Sequence, residues 1–195
     1  EREKLIPKRA ILPYFLQVKQ NNDELWQSWN VTPELEERFV HSVRMKPRRT
    51  ASGVATITVI TRPHTCSSNC IYCPCDLRMP KSYLANEPAC QRAELTFFDP
   101  YVQVAARLQA LYQMGHSTDK VELIVLGGTW SDYPESYQYW FIKELFRALN
   151  EWPNSPNHIK ERLNWYTSFG LQNSEEALSS FVAEQQAAVF DDTAT

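Results

Sequence analysis

Residues 53–75, GVATITVITRPHTCSSNCIYCPC, decide how the chain is read. The first nine, Gly53 to Thr61, are rich in β-branched residues, whose stiff side chains suit a pleated, buried strand. Directly behind that strand, Cys66, Cys70, Cys73 and Cys75 fall within ten residues. Cysteines so crowded are hard to explain by packing, and a loop at the end of a strand is where α/β folds place their chemistry.

Working outward, the same rhythm repeats downstream. Asp99-Pro100 opens a helix with Tyr101, Val104, Ala105, Leu108, Leu111 and Tyr112 on its apolar side, and Gly115 is its stop. Val121 to Leu126 (VELIVL) reads as a second strand, ended by Gly127-Gly128. A helix from about Pro134 to Asn150 follows, then a proline- and asparagine-rich break from Trp152 to Asn157. Leu163 to Phe169 is expected as a third strand or a loop, and Glu175 to about Phe190 as a helix. Upstream, Thr32-Pro33-Glu34 combines a capping hydroxyl, a proline at the first helical position and an acid in the first turn. Leu35, Phe39, Val40 and Val43 then mark an apolar face, and the helix should stop near Lys46-Pro47. Strand, loop, helix, strand, loop, helix is the order of a parallel sheet, so the fold class is α/β. The cysteine loop and the double glycine both follow strands and are expected side by side over one face.

Composition sets outer bounds. The chain has 195 residues, 43% hydrophobic and 22% charged, ordinary for a globular domain with its own core. No apolar run is long enough to cross a bilayer, and the start does not read as a signal peptide, so a cytoplasmic location is expected. Cytosolic thiols stay reduced and serve as metal ligands more often than as disulfides. The chain starts at Glu1 and ends on the polar stretch Asp191 to Thr195, which reads as a piece of a longer protein. The net charge of −3 hides an asymmetry. From Arg38 to Cys75 there is no acidic residue, but there are Arg38, Arg44, Lys46, Arg48, Arg49, Arg62, His41 and His64. Beyond Arg162 there is no Lys or Arg, while Glu175, Glu176, Glu184, Asp191 and Asp192 accumulate. A basic segment beside a metal site points to an anionic partner; the plainer alternative is a solvated basic face.

The spacing Cys66-x-x-x-Cys70-x-x-Cys73, with Tyr72 just before the last cysteine, puts three thiolates on one short loop. Three thiolates can hold three corners of a [4Fe–4S] cube, leaving one iron open to an exogenous chelate such as the amino and carboxylate groups of S-adenosylmethionine. Electron transfer into the sulfonium would then break a C–S bond, chemistry that belongs to the cofactors while the protein supplies placement. A structural zinc site usually wants four ligands in two separated pairs, and no second pair exists, although Cys75 or His64 could complete one. A ferredoxin cluster needs a fourth cysteine, and Cys75 lies only two residues beyond Cys73. Gly127-Gly128-Thr129 lets backbone groups approach a ligand and could receive the amino group of S-adenosylmethionine; a plain turn is the alternative.

The segment from Lys46 to Asn150 resembles the radical-SAM domain of the Elongator catalytic subunit family, in a bacterial-type form. The resemblance runs through Ala51-Ser52-Gly53-Val54-Ala55, Cys70-Ile71-Tyr72-Cys73-Pro74, Ser82-Tyr83, Glu87-Pro88, Arg92, Asp99-Pro100-Tyr101 and Gly115-His116-Ser117. It ends in Asp119-Lys120-Val121-Glu122 and Gly127-Gly128-Thr129, its most telling part. The resemblance implies a partial (β/α) barrel over residues 51–195, preceded by a helical, basic segment over residues 1–50. It implies a [4Fe–4S] cluster held by Cys66, Cys70 and Cys73, S-adenosylmethionine with Tyr72 and Gly127-Gly128-Thr129 among its contacts, and acetyl-CoA as a co-substrate at Lys120. The reaction it implies forms 5-carboxymethyluridine at the wobble uridine of tRNA. Its partners on this reading are tRNA and either a second copy or Elongator-like subunits, with no membrane. Lys46, Arg48 and Arg49, with Lys8 and Arg9, would meet tRNA phosphates, and Tyr83 and Trp130 could stack on a base or pack in the core.

The sequence also departs from the family. The gap before the second cysteine is short, and the Cys-Pro-Gly-Gly of many members is Cys73-Pro74-Cys75-Asp76 here. Nothing from Asn154 to Thr195 resembles the family's acetyltransferase-like domain. Two other readings remain: a radical-SAM enzyme with a small-molecule substrate, and a metal-containing RNA-binding module that is not an enzyme.

Overall fold

The computed structural model describes residues 6–170. Nine helical and strand segments follow one another: α1 (Lys8–Asn21), α2 (Asp23–Ser28), α3 (Pro33–Val43), β1 (Ala55–Ile60), α4 (Pro88–Glu94), α5 (Pro100–Gln113), β2 (Val121–Leu126), α6 (Glu135–Asn150) and α7 (Ile159–Ser168). Short 3-10 turns lie at Pro47–Thr50, Trp130–Asp132 and Ser155–His158. β1 and β2 pair as a two-stranded parallel sheet, so the chain is mixed helix and sheet. The described residues group into two compact units. One combines residues 6–57 with Arg107–Glu122; the other combines Thr58–Ala106 with residues 123–170.

In the first unit, Leu12, Phe15 and Val18 recur at helical spacing and form the buried stripe of α1. Phe15 meets the rings of Trp26 at 5.1 Å and Phe39 at 4.5 Å, so one aromatic side chain joins α1, α2 and α3. The expected start of α3 holds: the Thr32 hydroxyl accepts the Leu35 N–H at 3.3 Å, satisfying one of the donors a helix start leaves open. The helix ends before Lys46-Pro47, as expected, and Lys46 takes a left-handed conformation at φ 52°. Leu35, expected on the apolar face, is exposed instead. Gly115 stops α5 at φ +85°. Its N–H donates to the Tyr112 carbonyl and that of His116 to the Leu111 carbonyl, the paired bonds of a Schellman ending. His116 is buried, with Nδ1 bonded to Thr50 Oγ1 at 2.8 Å.

In the second unit, the end of β1 packs into a core of Ile60, Met79, Cys90 and Ala93, with Tyr83 and Leu126 against it. The side chain of Gln103 accepts the Ile60 N–H at 2.8 Å and donates to its carbonyl at 2.9 Å. Asp99 begins α5 by accepting the Val102 N–H at 2.8 Å. On α6, Phe141, Leu145 and Ala148 turn inward together with Glu144.

Residues 163–169, expected as a strand or a loop, are helical through Ser168. The β-formers Trp165, Tyr166 and Thr167 are outweighed by an inward row at Ile159, Arg162, Leu163 and Tyr166, a 3.6-residue repeat. Arg162 fixes that row, bonding Glu144 and Asp99 (3.2 Å), while the Tyr166 hydroxyl donates to Asp99 at 2.8 Å. The helix expected over residues 175–190 lies outside the described residues.

Candidate metal centre

The cysteine loop leaves β1 at Thr61, where the Thr61 N–H donates to the Leu126 carbonyl at 2.9 Å, the last rung before both strands turn into loops. Gly127 is required at this point. A Cβ there would stand 1.9 Å from Thr61 Oγ1, so any side chain would collide with the Thr61 side chain. Tyr133 donates its hydroxyl to the Arg62 carbonyl at 2.9 Å and therefore accepts from the Thr61 hydroxyl at 2.7 Å. The Arg62 N–H donates to the Tyr137 hydroxyl at 3.0 Å, and the Arg62 guanidinium lies over the Tyr137 ring. Burial raises the phenol pKa of both, that of Tyr137 to about 12, so both remain protonated at neutral pH.

The two loops are adjacent, as the strand order leads one to expect. Cys66 Sγ lies 3.3 Å from Thr129 Oγ1. That hydroxyl is the main reason the Cys66 pKa falls below its ordinary value, helped by the Ser68 backbone and opposed by burial and by Asp132. A lowered thiol pKa favours the thiolate, the form that binds metal. Cys73 Sγ pairs with Ser82 Oγ at 3.1 Å, and Ser82 adopts φ 77°. Cys70 is exposed, as are Ile71 and Tyr72. Among the described residues no three Cys, His, Asp or Glu side chains are gathered as a metal-binding group. The donor set nevertheless fits an iron–sulfur cluster in its chemistry: reduced soft sulfur ligands, one biased toward the thiolate, on eight consecutive residues.

Beyond Cys75, which is exposed, the chain is stitched by Asp76, whose carboxylate pairs with Arg78 at 3.0 Å and accepts the Ala85 N–H at 3.3 Å. Cys90 belongs to the core of the second unit, and burial raises its thiol to about 11, so it stands apart from the loop chemistry. A cavity of about 250 Å3 opens beside the double glycine, lined by Thr61, Tyr83, Leu126, Gly127, Gly128 and Trp130. Trp130 also packs edge-on against Phe141, with ring centroids 5.9 Å apart. Lys120 is exposed in the first unit, just before β2, and its carbonyl accepts the Ala55 N–H at 2.8 Å. Lys46, Arg48 and Arg49 are exposed in the same unit, around the Pro47–Thr50 turn. Sequence reasoning missed Asp132, Ser67 and Tyr133. Nothing in their spacing marks them, because each contact spans more than sixty residues.

No protein-family profile matches the chain. Pairwise comparison does: the chain is similar to proteins named tRNA uridine(34) acetyltransferase and Elongator complex protein 3. It is 40% identical over 139 residues to the tRNA uridine(34) acetyltransferase of Methanocaldococcus infernus, covering 68% of this chain and 26% of that protein. It is 48% identical over 105 residues to the protein of the same name from Dehalococcoides mccartyi, covering 54% and 23%. Against Elongator complex protein 3 of Bos taurus it is 38% identical over 146 residues, covering 69% and 26%. The chain thus spans about a quarter of the length of these relatives.

Proposed function

We propose that this chain carries the radical-SAM portion of an enzyme that modifies the wobble uridine of tRNA, built on a partial (β/α) barrel. The observation that carries the reading is the contact between Cys66 and Thr129, which brings the three-cysteine loop onto the Gly127-Gly128-Thr129 turn. A cluster ligand and a backbone surface able to face a small polar cofactor then lie together beyond the carboxyl ends of β1 and β2. The names of the relatives support tRNA uridine as the substrate class and acyl transfer as the reaction class.

On this proposal Cys66, Cys70 and Cys73 hold a [4Fe–4S] cluster. Bound there, it supplies the electron that reductively cleaves S-adenosylmethionine. The chain's own residues do the rest. The Cys66 hydroxyl partner favours the thiolate, Gly127 and Gly128 expose backbone polar groups to the cofactor, and Tyr83 and Trp130 wall the adjoining cavity. Lys120 is assigned to acetyl-CoA, and Lys46, Arg48 and Arg49 to tRNA phosphates, where cations contribute through counterion release. The product assigned is 5-carboxymethyluridine, made in the cytoplasm alone or with Elongator-like partners. No helix among the described residues is long and apolar enough to cross a membrane.

The test is anaerobic reconstitution, reduction with dithionite, and electron paramagnetic resonance with and without S-adenosylmethionine. A [4Fe–4S]⁺ signal that changes on adding S-adenosylmethionine is expected. A folded chain with no cluster, or with one indifferent to S-adenosylmethionine, refutes the proposal. Binding of tRNA should weaken steeply with salt, and an affinity insensitive to salt would remove the role given to Lys46, Arg48 and Arg49.

A further inference from the structure

Cys66 is bracketed by two residues that bond to one aspartate. On its carboxyl side, Ser67 donates its backbone N–H to Asp132 Oδ2 at 2.7 Å and its hydroxyl to Asp132 Oδ1 at 3.0 Å. On its amino side, His64 Nε2 lies 2.9 Å from the Asp132 carbonyl, so that nitrogen carries the proton. The His64 ring also stacks on Tyr133, with centroids 4.8 Å apart. Cys66 itself meets Thr129. Every anchor of this arm therefore lies on residues 129–133, the turn that follows the double glycine. The Cys70–Cys73 arm is held differently: Cys73 N–H donates to the Cys70 carbonyl at 3.2 Å, its thiol meets Ser82, and Ile71 and Tyr72 project into solvent.

We infer that Asp132 is a positioning residue for the cysteine loop, holding the Cys66 arm against the turn at residues 129–133 by a two-point carboxylate clamp on Ser67. The inference rests on the reading of the three cysteines as cluster ligands. Its physical basis is preorganisation: a ligand arm already held in place loses less freedom when a metal group binds, and partners behind the ligands set their orientation. An aspartate suits the task because its two oxygens accept both Ser67 donors at once. An asparagine keeps one oxygen for the N–H and offers its amide to the Ser67 hydroxyl, so it preserves the geometry without the charge.

The test uses the full chain in two states. In the reduced, metal-free protein, amide hydrogen exchange is followed across residues 65–70, with β1 and α5 as internal controls of folding. In the reconstituted protein, iron release to a chelator is timed. Asp132→Ala should speed both by about tenfold, Ser67→Ala should act in the same direction but less, and Asp132→Asn should stay within about twofold of the native chain. Unchanged exchange beyond Ser67 in Asp132→Ala overturns the clamp, and Asn behaving no better than Ala overturns positioning in favour of charge alone. Should the native chain take up no cluster, the functional reading fails while the exchange measurement still decides the clamp.

Discussion

Thr61 and Gly127 face each other at the carboxyl ends of β1 and β2, with only 1.9 Å between the threonine hydroxyl and the place a Cβ on Gly127 would occupy. A methyl group cannot enter without moving the Thr61 side chain. Gly127→Ala is expected to cost about 1–3 kcal/mol, as overpacking does, and to lower the urea midpoint accordingly. Adding Thr61→Ala should recover part of the loss, since Thr61 Cβ would still stand 3.1 Å away. An additive double variant would mean the two residues do not meet.

Arg162 serves two buried carboxylates, Asp99 at 2% and Glu144 at 4% exposure. Arg162→Met takes the guanidinium from both carboxylates, leaving Glu144 with Arg147 at 3.7 Å, and should destabilise the chain by about 3 kcal/mol, the scale for losing one side of a buried pair. Adding Asp99→Asn and Glu144→Gln should return much of it. Equilibrium unfolding of the single and triple variants checks this.

His116 contributes a pH dependence. Burial, and then Arg44, depress its pKa below the ordinary 6.5. The unfolded chain therefore binds a proton that the folded chain refuses, and stability rises with pH across that interval. The contribution is complete above about pH 6.5 and is lost as pH falls through the depressed folded value. Unfolding free energy should drop between pH 7 and pH 5 more steeply for the native chain than for His116→Gln. Parallel curves would place the effect elsewhere.

The cysteines should divide by environment. In metal-free protein at pH 8, Cys70 and Cys75 are exposed, whereas Cys90 is buried with its thiol raised to about 11. Iodoacetamide mapping by mass spectrometry should find Cys70 and Cys75 modified first and Cys90 only after unfolding. Equal rates for Cys90 and Cys75 would contradict the packing of Cys90 against Ile60 and Ala93.

What the sequence made legible was local. β2 was readable to the residue and β1 nearly so, because runs of β-branched residues bounded by glycine carry their own signal. The Thr32 cap and the Gly115 stop were readable for the same reason: each works within a few residues. The approach of the cysteine loop to the double glycine followed from strand order alone. α7 was misread because Trp165, Tyr166 and Thr167 favour strands in isolation, while the carboxylates that hold Arg162 lie 63 and 18 residues away. Tyr112, placed on the apolar side of α5, is 38% exposed, since the stripe narrows as the helix ends. Asp132 was invisible for the reason that α7 was misread: its partner is 65 residues distant.

Gln103 gives the sheet a direction of growth. Its side-chain amide occupies both the N–H and the carbonyl of Ile60 that point away from β2, doing for β1 what a neighbouring strand would do. At that level β1 is a sealed border. Any strand joining the sheet there must add beside β2, so accretion is one-sided. Replacing Gln103 with leucine would reopen the border and expose an unpaired backbone, the kind of edge from which strands associate out of turn.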